Sequence, residues 1–243
     1  MHKNKVALIS GGTSGIGLAT AKILSEEGWK TVLLGRDKQK GSQAETQVKG
    51  SLFISCDIKN KKEIDQAVEH IKEMGELCGV VSSAGVYKEG LLENMSDEDI
   101  KELFDTNVFG TIQFIKTVLP YLKRPGGSLV TVSSDAATRG NVQGSIYSAT
   151  KGAVTAFTRS LALELAVEGI RANVICPGDV KTPLLKKQLE SYGGTIAEME
   201  NWYPLMRIAK PEEVGQVIAF LLSEKASFMT GAIVPVDGGL TDW

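Results

Sequence analysis

The stretch that decides the fold is "SGGTSGIGLATAKIL", residues 10–24. It follows the apolar run "KVALIS", residues 5–10, and leads into apolar residues with helical spacing. Gly11, Gly15 and Gly17 are spaced G-x-x-x-G-x-G at this junction. Glycines there permit tight turns and leave helix N-terminal N–H groups accessible to an anion, which the helix dipole also favours. The stretch therefore predicts a phosphate cradle between the first strand and the first helix.

Other phosphate-binding and catalytic loops do not fit this spacing. A P-loop would require Lys where Leu18 follows Gly17. A nucleophile elbow around Ser14 would require glycine in place of Ile16. The remaining alternative is a glycine turn that serves only the packing of strand against helix. The position of the loop directly after the first strand favours the phosphate cradle.

Short β-branched runs alternate with longer helical patterns along the rest of the chain. After the first run, the strand candidates are "KTVLLG", "SLFISC", "GVVSSAG", "SLVTVSS", "ANVICPG" and "GAIVPVDGG". Strands that are apolar throughout and separated by helices are typical of a parallel sheet covered on both faces. The sequence therefore predicts an α/β, doubly wound Rossmann fold with a seven-stranded parallel sheet and helices on both faces. No linker or repeat interrupts the pattern, so residues 1–243 are interpreted as one domain.

Composition narrows the classes of function. The chain is 42% hydrophobic with a formal net charge of -2, and scattered Lys and Arg form no basic run for nucleic acid. The N-terminus has no apolar signal region, and no apolar run approaches the ~20 residues that span a bilayer. Cys56, Cys78 and Cys176 lie far apart in apolar runs, which indicates buried thiols in a reducing compartment. We expect a cytoplasmic protein with neither nucleic-acid nor membrane partners.

Histidine is scarce, which limits the available chemistry. Only His2, at the chain start, and His70, in a charged helical stretch, are present. Metal sites of the His and Cys kind and hydrolytic triads built around His are therefore not expected, and no metal is predicted. Proton transfer must use Tyr, Lys or a carboxylate.

The segment "YSATK", residues 147–151, offers such a pair. In a helix, Tyr147 and Lys151 lie one turn apart on the same face. Taken alone, the pair fits a solvated helix face. In a partly buried site, an ammonium ~4 Å from the phenolate would favour the charged form and bring the pKa of the phenol from about 10 toward neutrality.

The end of the second strand predicts the type of nucleotide. In dinucleotide folds, the residue that reads the ribose 2′ position lies about 20 residues after the glycine loop. Here "LLGRDKQK" places Gly35 and Arg36 there, and Arg suits a 2′-phosphate. Asp37 begins the next helix, where an acidic residue caps free N–H groups. NADP(H) is therefore favoured, with NAD(H) and a merely solvent-facing Arg36 as alternatives.

These motifs together resemble the short-chain dehydrogenase/reductase family in its single-domain form, over nearly the whole chain. The glycine loop matches the family's nucleotide motif, although Ser10 stands where Thr is usual. Further matches are "CDI" around Asp57, "SSAG" at residues 82–85, "TNVFG" with Asn107, "VTVSS" with Ser134, "CPGDVKTP" and "MTGAIVPVDGG". The main departure is "SSAG", because the family usually has an Asn pair there, and this leaves cofactor affinity and sheet stability open.

The resemblance implies an NAD(P)-dependent oxidoreductase that acts on CH–OH and C=O groups of a small-molecule substrate. Tyr147 would transfer the proton, Ser134 would hold the substrate oxygen, and Lys151 would act on both phenol and nicotinamide ribose. Asn107 would hold a water that links Lys151 to solvent. The implied cofactor-binding residues are Gly11, Thr13, Ser14, Gly15, Ile16, Gly17, Arg36, Asp57, Ile58, Ser83, Ala84, Gly85, Tyr147, Lys151, Pro177, Gly178, Val180 and Thr182.

The substrate is the least determined feature. Residues 182–210 carry Trp202, Tyr203 and several Met and Leu residues, and we interpret them as a substrate-binding lid for a molecule with apolar surface. The resemblance is loosely nearest to 3-oxoacyl-carrier-protein reductases, so a 3-oxoacyl thioester, a steroid or another apolar ketone is expected. A non-catalytic, redox-responsive NADP-binding protein is the alternative. A nucleotide hydrolase fits poorly, because the Walker lysine is missing.

The helix expected at about residues 146–168 is long and apolar over more than a narrow stripe, so it needs cover on two sides. By resemblance, it pairs with its copy in a second subunit, and residues 231–243 help build a homotetramer. The sequence does not choose between dimer and tetramer, and it fixes neither the stereochemistry nor the physiological direction of the reaction.

Overall fold

The computed structural model describes residues 4–242, so His2 and Trp243 lie outside the described residues. The strands are β1 (Lys5–Ser10), β2 (Lys30–Gly35), β3 (Ser51–Ser55), β4 (Glu76–Ser82), β5 (Ser128–Val132), β6 (Arg171–Pro177) and β7 (Ile233–Val236). They form one sheet with the order β3-β2-β1-β4-β5-β6-β7, and every neighbouring pair is parallel. The predicted doubly wound fold with seven parallel strands is confirmed.

The helices are α1 (Gly15–Glu26), α2 (Lys38–Gln47), α3 (Lys61–Met74), α4 (Asp97–Leu103), α5 (Thr111–Val118), α6 (Ser145–Ala166), α7 (Pro183–Tyr192), α8 (Ile196–Glu200) and α9 (Pro211–Leu222). A π-helical turn, Phe104–Gly110, joins α4 to α5, and short 3-10 turns lie at Leu92–Asn94, Leu119–Tyr121, Asp135–Ala137 and Glu224–Ala226. None of the helices within residues 4–242 has the length and apolar character needed to cross a membrane.

The first strand shows why the strands are apolar along their whole length. Val6 and Leu8 enter the core on one face of the sheet, which also contains residues of α3, α5 and α6. Ala7 and Ile9 enter the core on the other face, which contains residues of α1, α2 and α9. Because successive side chains of a strand point to opposite faces, a sheet buried on both sides requires apolar residues at every position.

The strand order reverses at β1, whose two neighbours are β2 and β4. In open parallel sheets, ligands bind beyond the carboxyl ends of the strands at such a reversal. Strand β4 ends at Ser82, so Ser83–Gly85 leave the sheet, although the run "GVVSSAG" was expected to be strand throughout. The N–H of Ser83 donates to the carbonyl of Ser10, and the backbone then passes beside the glycine loop.

The segment 182–210 contains two helices, α7 and α8. Thr182 caps α7, with its hydroxyl accepting from the N–H of Leu185, and Pro183 occupies the first turn. Thr195 and Glu198 form a capping box at the start of α8. Both helix starts were readable from the sequence as T-P and T-x-x-E. The role of this segment as a lid stays a prediction.

Candidate active site

A cleft of about 1370 Å³ lies beyond the carboxyl ends of the central strands. Nearly all of the residues expected in the site line it: Gly11, Thr13, Ser14, Gly15, Ile16, Arg36, Asp57, Ile58, Ser83, Ala84, Gly85, Ser134, Tyr147, Lys151, Pro177, Gly178, Val180 and Thr182. Gly17 and Asn107 are the exceptions among the expected residues, and both lie behind the lining. The fold thus brings positions that are far apart in sequence into one cavity.

The glycine loop is packed too tightly for side chains. Gly11 has φ +68, and a Cβ there would lie 2.8 Å from the backbone nitrogen of Ala84. A Cβ at Gly17 would lie 2.3 Å from the carbonyl oxygen of Gly11. Gly17 therefore acts by allowing the helix to approach the loop, which explains why it does not line the cleft. Gly15 has φ +52, a left-handed conformation that glycine adopts without strain.

At the end of β2, Arg36 is exposed at the cleft and has no hydrogen-bond or ion-pair partner within residues 4–242. Asp37 caps α2, accepting from the N–H of Lys40 at 3.0 Å, as its position predicted. A Cβ at Gly35 would lie 2.8 Å from the side chain of Thr13. Any residue larger than glycine at position 35 would therefore displace Thr13 from the loop.

The departure "SSAG" is accommodated by small side chains. The Ser82 hydroxyl is buried and reaches only a long contact of 3.5 Å with the hydroxyl of Thr111. The N–H of Ala84 donates to the hydroxyl of Ser10 at 3.4 Å, so the unusual Ser10 contacts the unusual segment. Asp57 is fixed by its own turn, where its carboxylate accepts from the N–H of Lys59 at 2.9 Å.

Asn107 sits in the π-helical turn with its amide fully engaged. Its Nδ2 donates to the carbonyl of Val86 at 3.0 Å and to the hydroxyl of Thr150 at 3.1 Å, while its Oδ1 accepts from the N–H of Val86 at 2.8 Å. A Cβ at Gly85 would contact both Asn107 Oδ1, at 3.2 Å, and Lys151 Nζ, at 3.7 Å. Asn107 thus ties the end of β4 to α6, and its role toward water stays a prediction.

Ser134, Tyr147 and Lys151 meet where β5 ends and α6 begins. Lys151 is only 7% exposed, and its Nζ donates to the carbonyl of Val132 at 3.0 Å and lies 5.7 Å from the ring centre of Tyr147. The Ser134 hydroxyl donates to Asp135 Oδ1 at 2.8 Å and accepts from the N–H of Ala136 at 3.2 Å. A weak acid, a neutral donor and an ammonium therefore converge on one end of the cleft.

The pKa values differ from the simplest expectation. Burial raises the pKa of the Tyr147 phenol, and the Ser134 hydroxyl, rather than Lys151, lowers it. Burial also lowers the pKa of Lys151 to about 8. The ammonium is directed to the Val132 carbonyl, and burial penalises the phenolate. A shift of the phenol pKa toward neutrality by Lys151 stays a prediction.

The sequence interpretation missed several polar residues at the same end of the cleft. Tyr87, Glu89, Asp135, Asp179 and Gln188 all line it. The rings of Tyr87 and Tyr147 are 4.7 Å apart in an edge-to-face arrangement. Asp179 lies within the motif "CPGDVKTP" and Asp135 directly follows "VTVSS", so both could have been considered. Nothing in the sequence placed the other three there.

Comparison with known proteins identifies relatives along the whole chain. The family model described as "Enoyl-(Acyl carrier protein) reductase" matches residues 11–241. The chain is 36% identical over 239 residues to carbonyl reductase family member 4 of Xenopus laevis, covering 98% of each. It is 35% identical over 243 residues to L-fucose dehydrogenase of Mus musculus, covering 98% of this chain and 89% of the relative. It is also 34% identical to a 3-oxoacyl-acyl-carrier-protein reductase of Thermotoga maritima, covering 98% of each.

Solved structures of oxidoreductases superimpose on nearly the whole chain. Aldohexose dehydrogenase of Thermoplasma acidophilum superimposes with a TM-score of 0.90 at 34% identity, covering 99% of this chain and 95% of that one. A variant actinorhodin polyketide ketoreductase with NADPH gives a TM-score of 0.92 at 28% identity, covering 99% and 98%. With this fold, this cleft and these relatives, the chain belongs to the short-chain dehydrogenase/reductase family and is an NAD(P)-dependent oxidoreductase that acts on carbonyl and alcohol groups.

Proposed function

We propose that the chain transfers a hydride between NADP(H) and a carbonyl or secondary alcohol, with Ser134, Tyr147 and Lys151 as the catalytic residues. The observation that carries this proposal is their convergence at one end of the cleft, with Lys151 buried behind Tyr147. A non-catalytic NADP-binding protein could use the ammonium to hold the ribose, but it would have no need of a phenol and a neutral hydroxyl donor beside it.

The nucleotide end of the cleft fits a dinucleotide. Gly11 and Gly15 leave no side chain over the start of α1, so its free N–H groups and dipole face the cavity. Residues Thr13 to Ile16 would hold the pyrophosphate, and Asp57 and Ile58 would hold the adenine. Ser83 to Gly85, with Pro177, Gly178, Val180 and Thr182, would hold the nicotinamide half. The bound nucleotide supplies the hydride donor or acceptor.

Each catalytic side chain has a defined task. The Ser134 hydroxyl is held by Asp135 and Ala136 and would donate to the substrate oxygen after turning from Asp135, placing a neutral donor where negative charge develops. The phenol of Tyr147 would give its proton to that oxygen in reduction and take it back in oxidation. Lys151 would orient the ribose, and its positive charge would stabilise the phenolate of Tyr147. Asn107 would hold the water that links Lys151 to solvent.

Arg36 supports NADP(H) over NAD(H). The guanidinium lies at the cleft with no acidic partner within the described residues, and Lys40 also lines this end. The Lys40 ammonium lies 3.9 Å from the Asp37 carboxylate, so the preference for NADP(H) rests on Arg36. Its guanidinium suits a 2′-phosphate because it can form paired charge-assisted hydrogen bonds to it. Neither Gly35 nor Arg36 supplies the carboxylate that would favour a 2′-hydroxyl.

We further propose that the chain forms a homotetramer and is located in the cytoplasm. Leu163 on α6 is 73% exposed and Val167, directly after α6, is 90% exposed. Phe109 on the neighbouring π-helical turn is 61% exposed. Such side chains are suited to the cover that a second copy of α6 would provide. The free and buried Cys56, Cys78 and Cys176 fit a reducing compartment.

The test is steady-state kinetics on the purified chain. NADPH absorbance is followed with small ketones, sugars and 3-oxoacyl thioesters, and NADPH binding is measured separately by fluorescence. Turnover that disappears in Tyr147→Phe while NADPH binding persists supports the proposal. Tight NADPH binding without turnover on any substrate would instead favour the non-catalytic alternative.

A further inference from the structure

The substrate end of the cleft contains three carboxylates that protein groups hold in place. We propose that Glu89, Asp135 and Asp179 bind hydroxyl groups of an uncharged, polyhydroxylated substrate, an aldose or a polyol, around the carbon that exchanges hydride. This inference rests on the proposed function of the same cleft and specifies its substrate class.

Glu89 follows β4 and reaches across to the lid. Its Oε2 accepts hydrogen bonds from the hydroxyl of Tyr87 and from Nε2 of Gln188 on α7, the latter at 3.2 Å. Its backbone N–H also donates to the hydroxyl of Tyr192 at 3.4 Å. Within residues 4–242, Oε1 has no hydrogen-bond donor or ion-pair partner, so it is available to a ligand.

Asp179 is held in the same way from the other side. Its Oδ2 accepts from the hydroxyl of Tyr203 at 2.7 Å, and its backbone N–H donates to that hydroxyl at 2.6 Å. Oδ1 has no donor among the described residues. The remaining carboxylate, Asp135, accepts from Ser134 through Oδ1 at 2.8 Å and has no described donor at Oδ2.

Glu89 and Asp179 therefore share one pattern, in which one oxygen is bound by the protein and the other is left for a ligand in the cleft. Asp135 has Oδ2 available, and Oδ1 also becomes available when Ser134 turns to the substrate oxygen. An ionised carboxylate accepts hydrogen bonds and donates none, so its natural ligands are hydroxyl and ammonium groups. Residues 4–242 contain no group of three His, Cys, Asp or Glu side chains placed to hold a metal ion. The hydroxyl groups of one polyhydroxylated substrate would satisfy these available oxygens.

Their position relates them to the reacting carbon. Asp135 directly follows Ser134, and Glu89 is bonded to Tyr87, whose ring is 4.7 Å from that of Tyr147. Burial raises the pKa of Asp179 to about 6, and the negative charges of Asp135 and Glu89 act in the same direction. Hydroxyls on carbons next to the reacting one would reach these groups, whereas a long alkyl chain beside that carbon would leave them without partners, which is unfavourable.

The three carboxylates also disfavour anionic substrates at this end of the cleft. Arg139 is the cation that lowers the pKa of Asp179, and its own NH1 donates to the carbonyl of Leu240 at 3.2 Å. Much of the apolar surface of the lid packs within the lid itself. Its buried cluster consists of Leu185, Met199, Tyr203 and Ile208. Polar groups therefore surround the reaction centre although the lid is rich in apolar residues.

The test compares matched substrates. The full-length chain with NADP⁺ is assayed against aldoses and polyols, each paired with the analogue lacking the hydroxyl next to the reacting carbon, and against cyclohexanol. Because a hydrogen bond to a charged group is worth more than a neutral one, each removed hydroxyl should lower kcat/KM about tenfold or more. Cyclohexanol should be the poorest substrate.

Two variants test the residues themselves. Glu89→Gln and Asp179→Asn keep the size of the side chain and remove its charge. Each should raise KM for the best polyhydroxylated substrate about tenfold while leaving KM for cyclohexanol within about twofold, a split that a merely structural role would not produce. Glu93→Gln, on the exposed 3-10 turn outside the cleft, is the matched control and should change neither value.

The possible failures are distinguishable. Better turnover of apolar ketones or 3-oxoacyl thioesters with NADPH, or of amino alcohols with NADP⁺, than of any aldose or polyol would overturn this inference and leave the proposed function standing. If no substrate turns over, calorimetric titration of the NADP⁺ complex with the same pairs decides separately. Binding of an aldose or polyol that Glu89→Gln weakens would support the inference, and no such binding would overturn it.

Discussion

Lys151 donates a hydrogen bond of 3.0 Å from its Nζ to the carbonyl oxygen of Val132, at the end of β5. This contact holds a buried ammonium behind the phenol of Tyr147. Burial lowers the pKa of Lys151 from 10.5 to about 8, so the folded protein binds this proton less tightly than the unfolded chain does. Folding and protonation of Lys151 are therefore coupled.

The coupling predicts a pH-dependent stability. Between pH 8 and 10.5 the unfolded state retains the Lys151 proton and the folded state has lost it, so the contribution of Lys151 to stability rises with pH in this window. The difference in free energy of unfolding between Lys151→Met and wild type should therefore favour the variant by up to about 3 kcal/mol more at pH 7 than above pH 10.5. Urea unfolding of both proteins at fixed concentration across this range measures the trend. A difference that does not change with pH would contradict the assignment.

Tyr147→Phe removes one oxygen at the point where a proton must be exchanged. We expect kcat to fall by about two to four orders of magnitude, the usual worth of general acid–base catalysis, with NADPH affinity nearly unchanged. Stopped-flow or steady-state absorbance measures turnover, and fluorescence measures binding. Tyr121→Phe, on a 3-10 turn outside the cleft, is the control and should behave as wild type. Substantial activity in Tyr147→Phe would exclude the proposed proton donor.

Arg36→Ala should weaken NADPH much more than NADH. Loss of charge-assisted hydrogen bonds to the 2′-phosphate, worth roughly 1.5 to 3 kcal/mol each, corresponds to at least about a tenfold loss in kcat/KM with NADPH. Lys38→Ala, at the start of α2 but outside the cleft lining, is the control and should change kcat/KM with neither cofactor. A wild type that prefers NADH would contradict the assignment of Arg36 to the 2′-phosphate. Gly35→Asp is a poorer probe, because its Cβ would collide with Thr13.

Gly17→Ala tests whether the glycine loop depends on close backbone approach. The new Cβ would lie 2.3 Å from the carbonyl oxygen of Gly11, so loop and helix must separate. We expect a loss of at least about 2 kcal/mol in the free energy of unfolding and weaker NADPH binding, because overpacking against backbone has no easy relief. Thermal unfolding and cofactor titration check both effects. A variant with wild-type stability and affinity would disprove this role.

The exposed face of α6 predicts an assembly. Light scattering at micromolar concentration should give a homotetramer, and Leu163→Glu should shift it toward smaller particles by placing charge in an apolar contact. Turnover at the same concentration shows whether the site needs the assembly. A wild-type particle of 26.1 kDa, the mass of one chain, would rule the assembly out.

The sequence by itself determined the architecture of the sheet and the nucleotide end of the cleft. Continuous apolar strands such as Val6–Ile9 require a sheet buried on both faces, and that demand is local and periodic, so it is readable without a structure. The same holds for Gly11 and Gly17, and for Asp37, whose capping role follows from its place at a helix start. The spacing of Tyr147 and Lys151 on one helix belongs to this class too.

Tertiary structure decided where that pair points and what surrounds it. The Lys151 ammonium is directed to Val132 on another element, and burial sets its pKa, neither of which a four-residue spacing reveals. Glu89 and Asp179, 90 positions apart in sequence, line one cavity because the loop after β4 and the loop after β6 end at the same edge of the sheet. Such contacts depend on strand order and packing, so the polarity of the substrate end emerges only when the chain is folded.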